Sequence, residues 1–317
     1  MSVYTQLSLA QAQQFATAYG LEVIALNPIQ GGIQNTNYFL VCADQKQYVL
    51  TIFENETAQS AGELVPVLQQ LQQHGVPVAT PLLYQQQAIH TLLNKPAQIA
   101  PRVWGEHPMQ TSLAQVIEIA KAQAKLHTAL QHFKMIRSHD RGHAYWTNIG
   151  QILKTAEMNA DDQQLFDQVY AKFEHLQTQH PDRPKGWIHS DLFRDNTLFQ
   201  GDQLTGILDF FELNHDELLF DIAITINDFC TQYPDVTLNT QYVQAFLQAY
   251  QDVRPLTADE KACLNIYLAM AACRFWLLRL NVARLNRLEG RTGADVFVKD
   301  PAVMRAMLVD RLNAGMI

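Results

Sequence analysis

The chain is predicted to be an α+β protein of two lobes, with a small antiparallel sheet over residues 1–100 and a mostly helical lobe over 101–317. Three observations carry that prediction. β-Branched and aromatic runs separated by turn residues crowd the first hundred positions, as in Leu21–Leu26, Tyr38–Cys42 and Gln47–Phe53. After Pro101-Arg102-Val103-Trp104-Gly105 the apolar spacing changes to i, i+3, i+4. The 317 residues are 48% hydrophobic and 17% charged, enough core for a unit of this size.

The elements follow in order. Ser8 to Tyr19 reads as a helix, with Ser8 and Gln11 as a capping box and Gly20 as the stop. The three strands above come next, interrupted by a Gly-Gly loop at Gly31 and Gly32. Glu63 to His74 reads as a helix ended by Gly75, and a hairpin is expected around Leu82–Tyr84 and Ala88–Thr91. Ser112 to Leu130 is amphipathic, with Leu113, Val116, Ile117, Ala120, Ala124 and His127 on one face. His127 on that face is read as a core histidine. Residues 152–179, 216–230, 240–250 and 259–289 also read as helical, and strands at Thr197–Phe199 and Leu204–Leu208 interrupt them.

A formal charge of −8 argues against a protein that coats nucleic acid or an anionic membrane. Cys42, Cys230, Cys263 and Cys273 form no C-x-x-C pair and are expected to be buried free thiols in a reducing compartment. The start, MSVYTQLSLAQAQ, lacks the basic and apolar regions of a secretory signal. Ala262 to Leu280 is long enough to span a bilayer but carries Asn265, Arg274 and Arg279, so a buried helix fits better. A cytoplasmic protein is expected. The oligomeric state is not readable.

One segment carries chemistry. WIHSDLFRDNTLF, Trp187 to Phe199, sets Asp191 two residues after His189 and Asn196 five after Asp191, with Asp209 thirteen further on in GILDFF. The same H-x-D-x-x-x-x-N order forms the catalytic loop of protein kinases. Gly201-Asp202 is a turn signal, so the two strands around it should form a hairpin that brings Asn196 and Asp209 to one end. A carboxylate and an amide oxygen suit Mg²⁺. Asp191 would then orient an attacking hydroxyl and accept its proton, while His189 would brace the loop.

On these residues the chain resembles the aminoglycoside phosphotransferase-like kinases, which share the two-lobed protein-kinase-like fold. Within them it is most similar to the homoserine kinases of that superfamily. The superfamily likeness rests on GGIQNTNYFL (31–40), YVLTIFE (48–54), HGVPVATPL (74–82), WIHSDLFRDNTLF and GILDFFE (206–212). LLFDIAITINDFC (218–230), VRPLT (253–257), RFWLLRL (274–280) and VKDP (298–301) favour the homoserine group. The resemblance implies ATP and Mg²⁺ as cofactors, Asp191 as catalytic base, and Asn196 and Asp209 as metal ligands. It places Gly31, Gly32, Asn35, Thr36 and Asn37 in a phosphate-covering loop and Val103 in a linker, Ala100–Trp104, against which adenine packs. It gives Asp221 a structural role, tying the catalytic loop to the following helix.

Many relatives hold phosphates with a strand Lys or Arg paired to a helix Glu. Here the strand reads Val49-Leu50-Thr51, and Glu63 is either that helix acid or the end of a Ser60-x-x-Glu63 capping box. Arg274 and Arg279 lie on a mostly apolar helix. They are read either as partners for a substrate carboxylate or as members of ion pairs with buried acids. The resemblance implies phosphorylation of the L-homoserine side-chain hydroxyl, in threonine biosynthesis. Choline, ethanolamine or an amino sugar is the alternative acceptor, and a nucleotide-binding scaffold without catalysis is the third reading.

Overall fold

Ser8 starts the first helix as its spacing to Gln11 requires: its hydroxyl accepts from Gln11 N and the Gln11 side chain accepts from Ser8 N. The structure, a computed structural model, describes residues 4–29, 35–137, 141–290 and 299–314. It divides into two units, Met1–Gly105 with Phe133–Ser138 and Thr205–Leu208, and Glu106–His132 with His139–Leu204 and Asp209–Ile317.

In the first unit α1 (Leu9–Thr17) is followed by β1 (Val23–Pro28), β2 (Thr36–Cys42) and β3 (Gln47–Ile52). Next come α2 (Ala58–Gly62), α3 (Val65–Gln73), β4 (His90–Leu92) and β5 (Lys95–Pro101). The sheet is antiparallel in the order β1-β2-β3-β5-β4. Strand β2 alternates as a half-buried strand must: Thr36, Tyr38, Leu40 and Cys42 face inward, and Asn37, Phe39 and Val41 are half-buried on the other side. Leu40, Leu50, Ile52, Ala97 and Ile99 form the core with Ala12 and Ala16 of α1.

The sequence reading needs three corrections here. The hairpin expected around Leu82–Tyr84 and Ala88–Thr91 is reduced to one antiparallel bridge, Tyr84 with Gln87, and the hairpin that joins the sheet is β4–β5, whose turn residues Leu93 and Asn94 both have positive φ, 49° and 63°. Two left-handed residues match the twist of adjoining strands, but Leu-Asn lacks the glycine that advertises such a turn. The expected linker Ala100–Trp104 begins later, because Ala100 and Pro101 pair with Val49 and Tyr48 in the sheet. The expected helix from Glu63 to His74 is α3, which starts at Val65, while Glu63 is the C-cap of the short helix α2 before it. The capping box there joins Thr57 to Ser60, not Ser60 to Glu63, since Thr57 lies first in the chain and takes the cap.

The second unit contains α4 (Leu113–Leu130), α5 (His143–Ala156), α6 (Ala160–Gln179), β6 (Lys185–Ile188) and β7 (Thr197–Gln200). Strand β8 (Gln203–Ile207) closes a hairpin with β7 through Gly201 at φ +59°. There follow β9 (Asn214–Glu217), α7 (Leu218–Phe229), the two-residue strands β10 (Thr231–Gln232) and β11 (Thr237–Leu238), α8 (Thr240–Gln251), α9 (Ala258–Leu288) and α10 (Pro301–Asn313). The expected helix 152–179 is two helices, because Asn159 caps α6 through Asp162 N. Helix α5 starts at His143 behind Gly142, with no side-chain cap to announce it. Residues 216 and 217, expected to be helical, pair in β9 with Gly186 and Lys185 of β6.

Helix α9 is long and apolar enough to cross a membrane, yet 78% of its most apolar window is buried inside the protein. It is the core helix of this unit. A Cβ on Gly150 of α5 would lie 2.5 Å from Phe166 and 3.4 Å from Leu277, so the glycine is what lets α5 approach α6 and α9. All four cysteines are buried and unpaired.

Candidate active site

Strand β6 ends at Ile188, and the chain then turns through Ser190 at φ +69°, a conformation that a non-glycine residue holds only when its surroundings compel it. The compulsion comes from Asp221, fully buried near the start of α7. Its carboxylate accepts from His189 N at 3.2 Å, Ser190 N at 2.8 Å and His127 Nε2 at 3.0 Å. His127 is a core residue, its other nitrogen 2.6 Å from Tyr250 Oη. Burial alone would raise the Asp221 pKa, but the hydrogen bond and charge of His127 with the backbone donors hold it below the usual value. The His189 side chain is buried, and its Nδ1 accepts from Asp191 N at 3.3 Å.

Asn196 completes the loop. Its Nδ2 donates to both the carbonyl of Asp191 at 2.8 Å and the Asp191 Oδ2 at 2.9 Å, which fixes the carboxylate and turns Asn196 Oδ1 the other way. The intervening Arg194 pins the loop further. It donates to Asp228 from its backbone N at 2.7 Å and from Nε at 3.0 Å, and to Met109 O at 2.8 Å. Arg194 and Asp228 were not singled out from sequence, because an Arg–Asp pair 34 residues apart has no spacing signature.

Asp209 follows β8 and has left-handed backbone, φ 56° and ψ 71°, with Phe211 N donating to its Oδ1 at 3.4 Å. Burial and then the neighbouring Asp209 carboxylate push Asp191 up to about 8. Burial raises Asp209 as well. Asp209 keeps an accessible surface, so crowding by protein rather than complete dehydration acts on it. Two carboxylates that repel each other, with an amide oxygen turned outward, form an all-oxygen donor set that suits a hard divalent cation. Asn196 and Asp209 would be its ligands from this chain.

Of the residues assigned to a phosphate loop, Gly31 and Gly32 lie outside the described residues. Asn35 is buried and accepts from Glu54 N at 3.3 Å. Thr36 is a correction to the phosphate-contact expectation: fully buried, its hydroxyl donates to Glu54 Oε1 at 2.6 Å and accepts from Tyr4 N and Thr5 N. The pleat turns it to the core. Asn37 on the opposite face accepts from Thr51 Oγ1 at 2.8 Å, so the position lacking a strand cation is a neutral polar pair. Glu63 stands 3.7 Å from Arg137, a cation that the sequence reading did not consider. Val103 packs over Gly206, where an added Cβ would lie 2.7 Å from Val103 Cγ1.

Residues 25–256 match the model of the phosphotransferase enzyme family. The chain belongs to that family. Over 99% of its length this phosphotransferase is 37% identical to a homoserine kinase of Methylobacillus flagellatus, of which the match covers 96%. It is 32% identical to a homoserine kinase of Pseudomonas aeruginosa, over 99% of the chain and 97% of that protein. Among solved structures it is similar to an amicoumacin kinase in complex with AMP-PNP and Ca²⁺, at a TM-score of 0.68 and 15% identity, covering 96% of this chain and 92% of the other. A microcompartment-associated aminopropanol kinase gives a TM-score of 0.64 at 17% identity, covering 96% and 94%. The phosphotransferase therefore has the protein-kinase-like fold, its antiparallel sheet followed by a helical region.

The same unit holds a cavity of about 180 Å³ walled by Trp146, Tyr170, Phe173 and Phe220. Arg274 and Asp216 line it, as do His143 and Lys185. Arg274 is 5% exposed, and its Nε is buried without a hydrogen-bond partner. Among the described residues it makes no hydrogen bond or ion pair, so the buried-acid alternative for this arginine is not what the fold provides. Its guanidinium lies over Trp146 at 5.0 Å and over Phe220 and Phe275 at 5.5 Å each. It is also close enough to Glu212, Asp191, Asp216 and Asp221 for their charges to act on it. Arg279 does not line the cavity; its Nη1 donates to Asp300 O at 2.7 Å beside α10. The structure thus separates the two arginines that the sequence reading grouped. Asp216 went unnoticed because the sequence reading set it at the start of a helix over 216–230, with no spacing that ties it to Arg274.

Proposed function

We propose that this phosphotransferase transfers the γ-phosphoryl group of ATP to the side-chain hydroxyl of L-homoserine, giving O-phospho-L-homoserine. The reaction is carried by one observation: Asn196 holds both the carbonyl and the carboxylate of Asp191, beside Asp209. Asp191 orients the acceptor hydroxyl and takes its proton as the bond to phosphorus forms. A carboxylate lifted towards neutrality is a better base than an ordinary aspartate. Asn196 and Asp209 hold a divalent cation, Mg²⁺ by the hardness of their oxygens. A cation held there would supply positive charge against the charge that develops as the phosphoryl group leaves ADP for the acceptor hydroxyl. His189 and Asp221 keep the loop in its left-handed turn. Covering of the phosphates is assigned to Gly31, Gly32, Asn35 and Asn37 and packing of adenine to Val103, with Thr51 leaving phosphate neutralisation to other groups.

The acceptor follows from two supports: relatives named homoserine kinase match at 31–37% identity along nearly the whole chain, and Arg274 is a buried cation awaiting an anion. An acceptor carboxylate would satisfy it. The aromatic walls and Asp216 also favour an amine such as choline or ethanolamine, but an unpaired buried arginine repels such a cation. Cytoplasmic threonine biosynthesis is the setting this activity would have.

In a coupled assay with ATP and Mg²⁺, L-homoserine is expected to be turned over far better than choline, ethanolamine or aminoglycosides. Good turnover of one of those with none of homoserine would overturn the acceptor and leave the fold intact. Asp191→Ala is expected to lower kcat by about 10²–10⁴-fold with ATP affinity little changed. Activity surviving that change would overturn the catalytic assignment.

A further inference from the structure

Two opposite charges in the cavity, Asp216 and Arg274, form no ion pair among the described residues. Lys185 at its edge forms none either, whereas Glu217 is committed. Glu217 takes Arg183 at 3.1 Å and the Tyr267 hydroxyl. Asp216 is different: its Oδ1 accepts from Glu217 N at 2.8 Å, and among the described residues it forms no ion pair. Its β6 partner is Gly186, which presents no side chain beside it. Arg274, across the aromatic walls, is likewise unpaired. Leaving a buried arginine unpaired costs stability, and folds retain such groups where a ligand completes them.

The two charges suit a zwitterion. From the proposed acceptor function, on which this step rests, we infer that Asp216 receives the α-ammonium of the acceptor while Arg274 holds its carboxylate, so the cavity selects α-amino acids. The guanidinium lies 5.0–5.5 Å from three ring centroids, and a guanidinium can meet a carboxylate with two parallel N–H donors. The free Asp216 oxygen accepts from an ammonium. Strand β9, which carries Asp216, pairs with β6, and β6 runs directly into His189 and Asp191. Arg274 and Asp191 lie within each other's electrostatic reach. A head group fixed between Asp216 and Arg274 therefore leaves a short side chain to extend towards Asp191. A cavity of about 180 Å³ is below the roughly 300–1,000 Å³ of sites for drug-sized ligands, which matches a small amino acid.

Three acceptors separate the contributions: L-homoserine, 4-hydroxybutanoate without the ammonium, and 3-aminopropan-1-ol without the carboxylate. Wild-type protein is expected to prefer homoserine over each by about tenfold or more in kcat/KM. Asp216→Asn should erase the advantage over 4-hydroxybutanoate and keep that over 3-aminopropan-1-ol. Arg274→Gln should do the reverse, with ATP affinity retained in both. Equal loss towards homoserine and 4-hydroxybutanoate in Asp216→Asn would overturn the clamp and reduce Asp216 to a structural role. If wild-type protein leaves homoserine unphosphorylated, the proposed function falls by itself and calorimetry with L-homoserine decides the clamp. Binding lost in Asp216→Asn sustains it, and no binding to wild type overturns it.

Discussion

The loop from His189 to Asn196 and the cavity lined by Asp216 and Arg274 belong to the same unit and treat their polar groups in opposite ways. In the loop most polar groups other than Ser190 Oγ are spoken for: Asp221 takes two backbone amides and His127, Asn196 spans Asp191, and Arg194 is tied to Asp228. In the cavity Arg274 Nε is buried without a hydrogen-bond partner, and Asp216, which accepts from Glu217 N, forms no ion pair among the described residues. The difference teaches where each kind of specificity comes from. Geometry for a reaction must exist before the substrate arrives, so it is secured internally. Recognition needs groups that gain most when the ligand arrives, so they are kept open.

The comparison breaks most readily at Asp221. Asp221→Ala strips an acceptor from two buried amides and from His127 and is expected to destabilise the fold by about 3–5 kcal/mol in urea melts. A loss below about 1 kcal/mol would mean that the loop is not held internally. The pH dependence has a definite sign. The folded pKa of Asp221 is depressed, so its contribution is present above the unfolded value near 3.9 and is lost as pH falls through the folded value. Steep acid unfolding below about pH 4 should therefore flatten in Asp221→Asn.

Gly150→Ala tests the frame behind the cavity. The added Cβ meets Phe166 at 2.5 Å and should cost about 1–3 kcal/mol while leaving the catalytic loop intact. A rise in the KM for the acceptor without a matching fall in kcat would mark the damage as confined to the α5 side. The smallest effect is expected at Asp191 itself. Its folded pKa, about 8, is raised above an unfolded value near 3.9, so stability of the cation-free protein falls as pH rises through that window. Asp191→Asn removes the repelling charge and should stabilise the cation-free protein at pH 8 by about 1–2 kcal/mol, discounted for partial exposure, with little gain at pH 4. Equal melting temperatures for the two proteins at pH 8 would show that neither burial nor Asp209 presses on the Asp191 charge.

Much of this was legible in the residues, for local reasons. The capping boxes at Ser8 and Ser112, the alternation in β2 and the hairpin at Gly201 each depend on neighbours within a few positions. Asp191, Asn196 and Asp209 were legible too, because a short loop and a tight hairpin convert sequence spacing directly into distance. Where structure departs from that reading, the deciding contacts are distant or the local signal is weak. The β4–β5 turn uses Leu93 and Asn94 in place of glycine, α5 begins without a side-chain cap, and Thr36 faces the core because of sheet register.

Periodicity and short-range spacing were enough for the fold class and for grouping Asp191, Asn196 and Asp209 as the proposed reaction centre. The sequence by itself also marked Arg274 and Arg279 as equals on one apolar helix. Tertiary structure alone separated them, turning Arg274 among aromatic rings and setting Arg279 against the start of α10. It alone placed Asp216 in the same cavity as Arg274. The physical reason is that a pocket built from helices and a strand far apart in the chain has no spacing to read. Its charges meet only when packing brings those elements together.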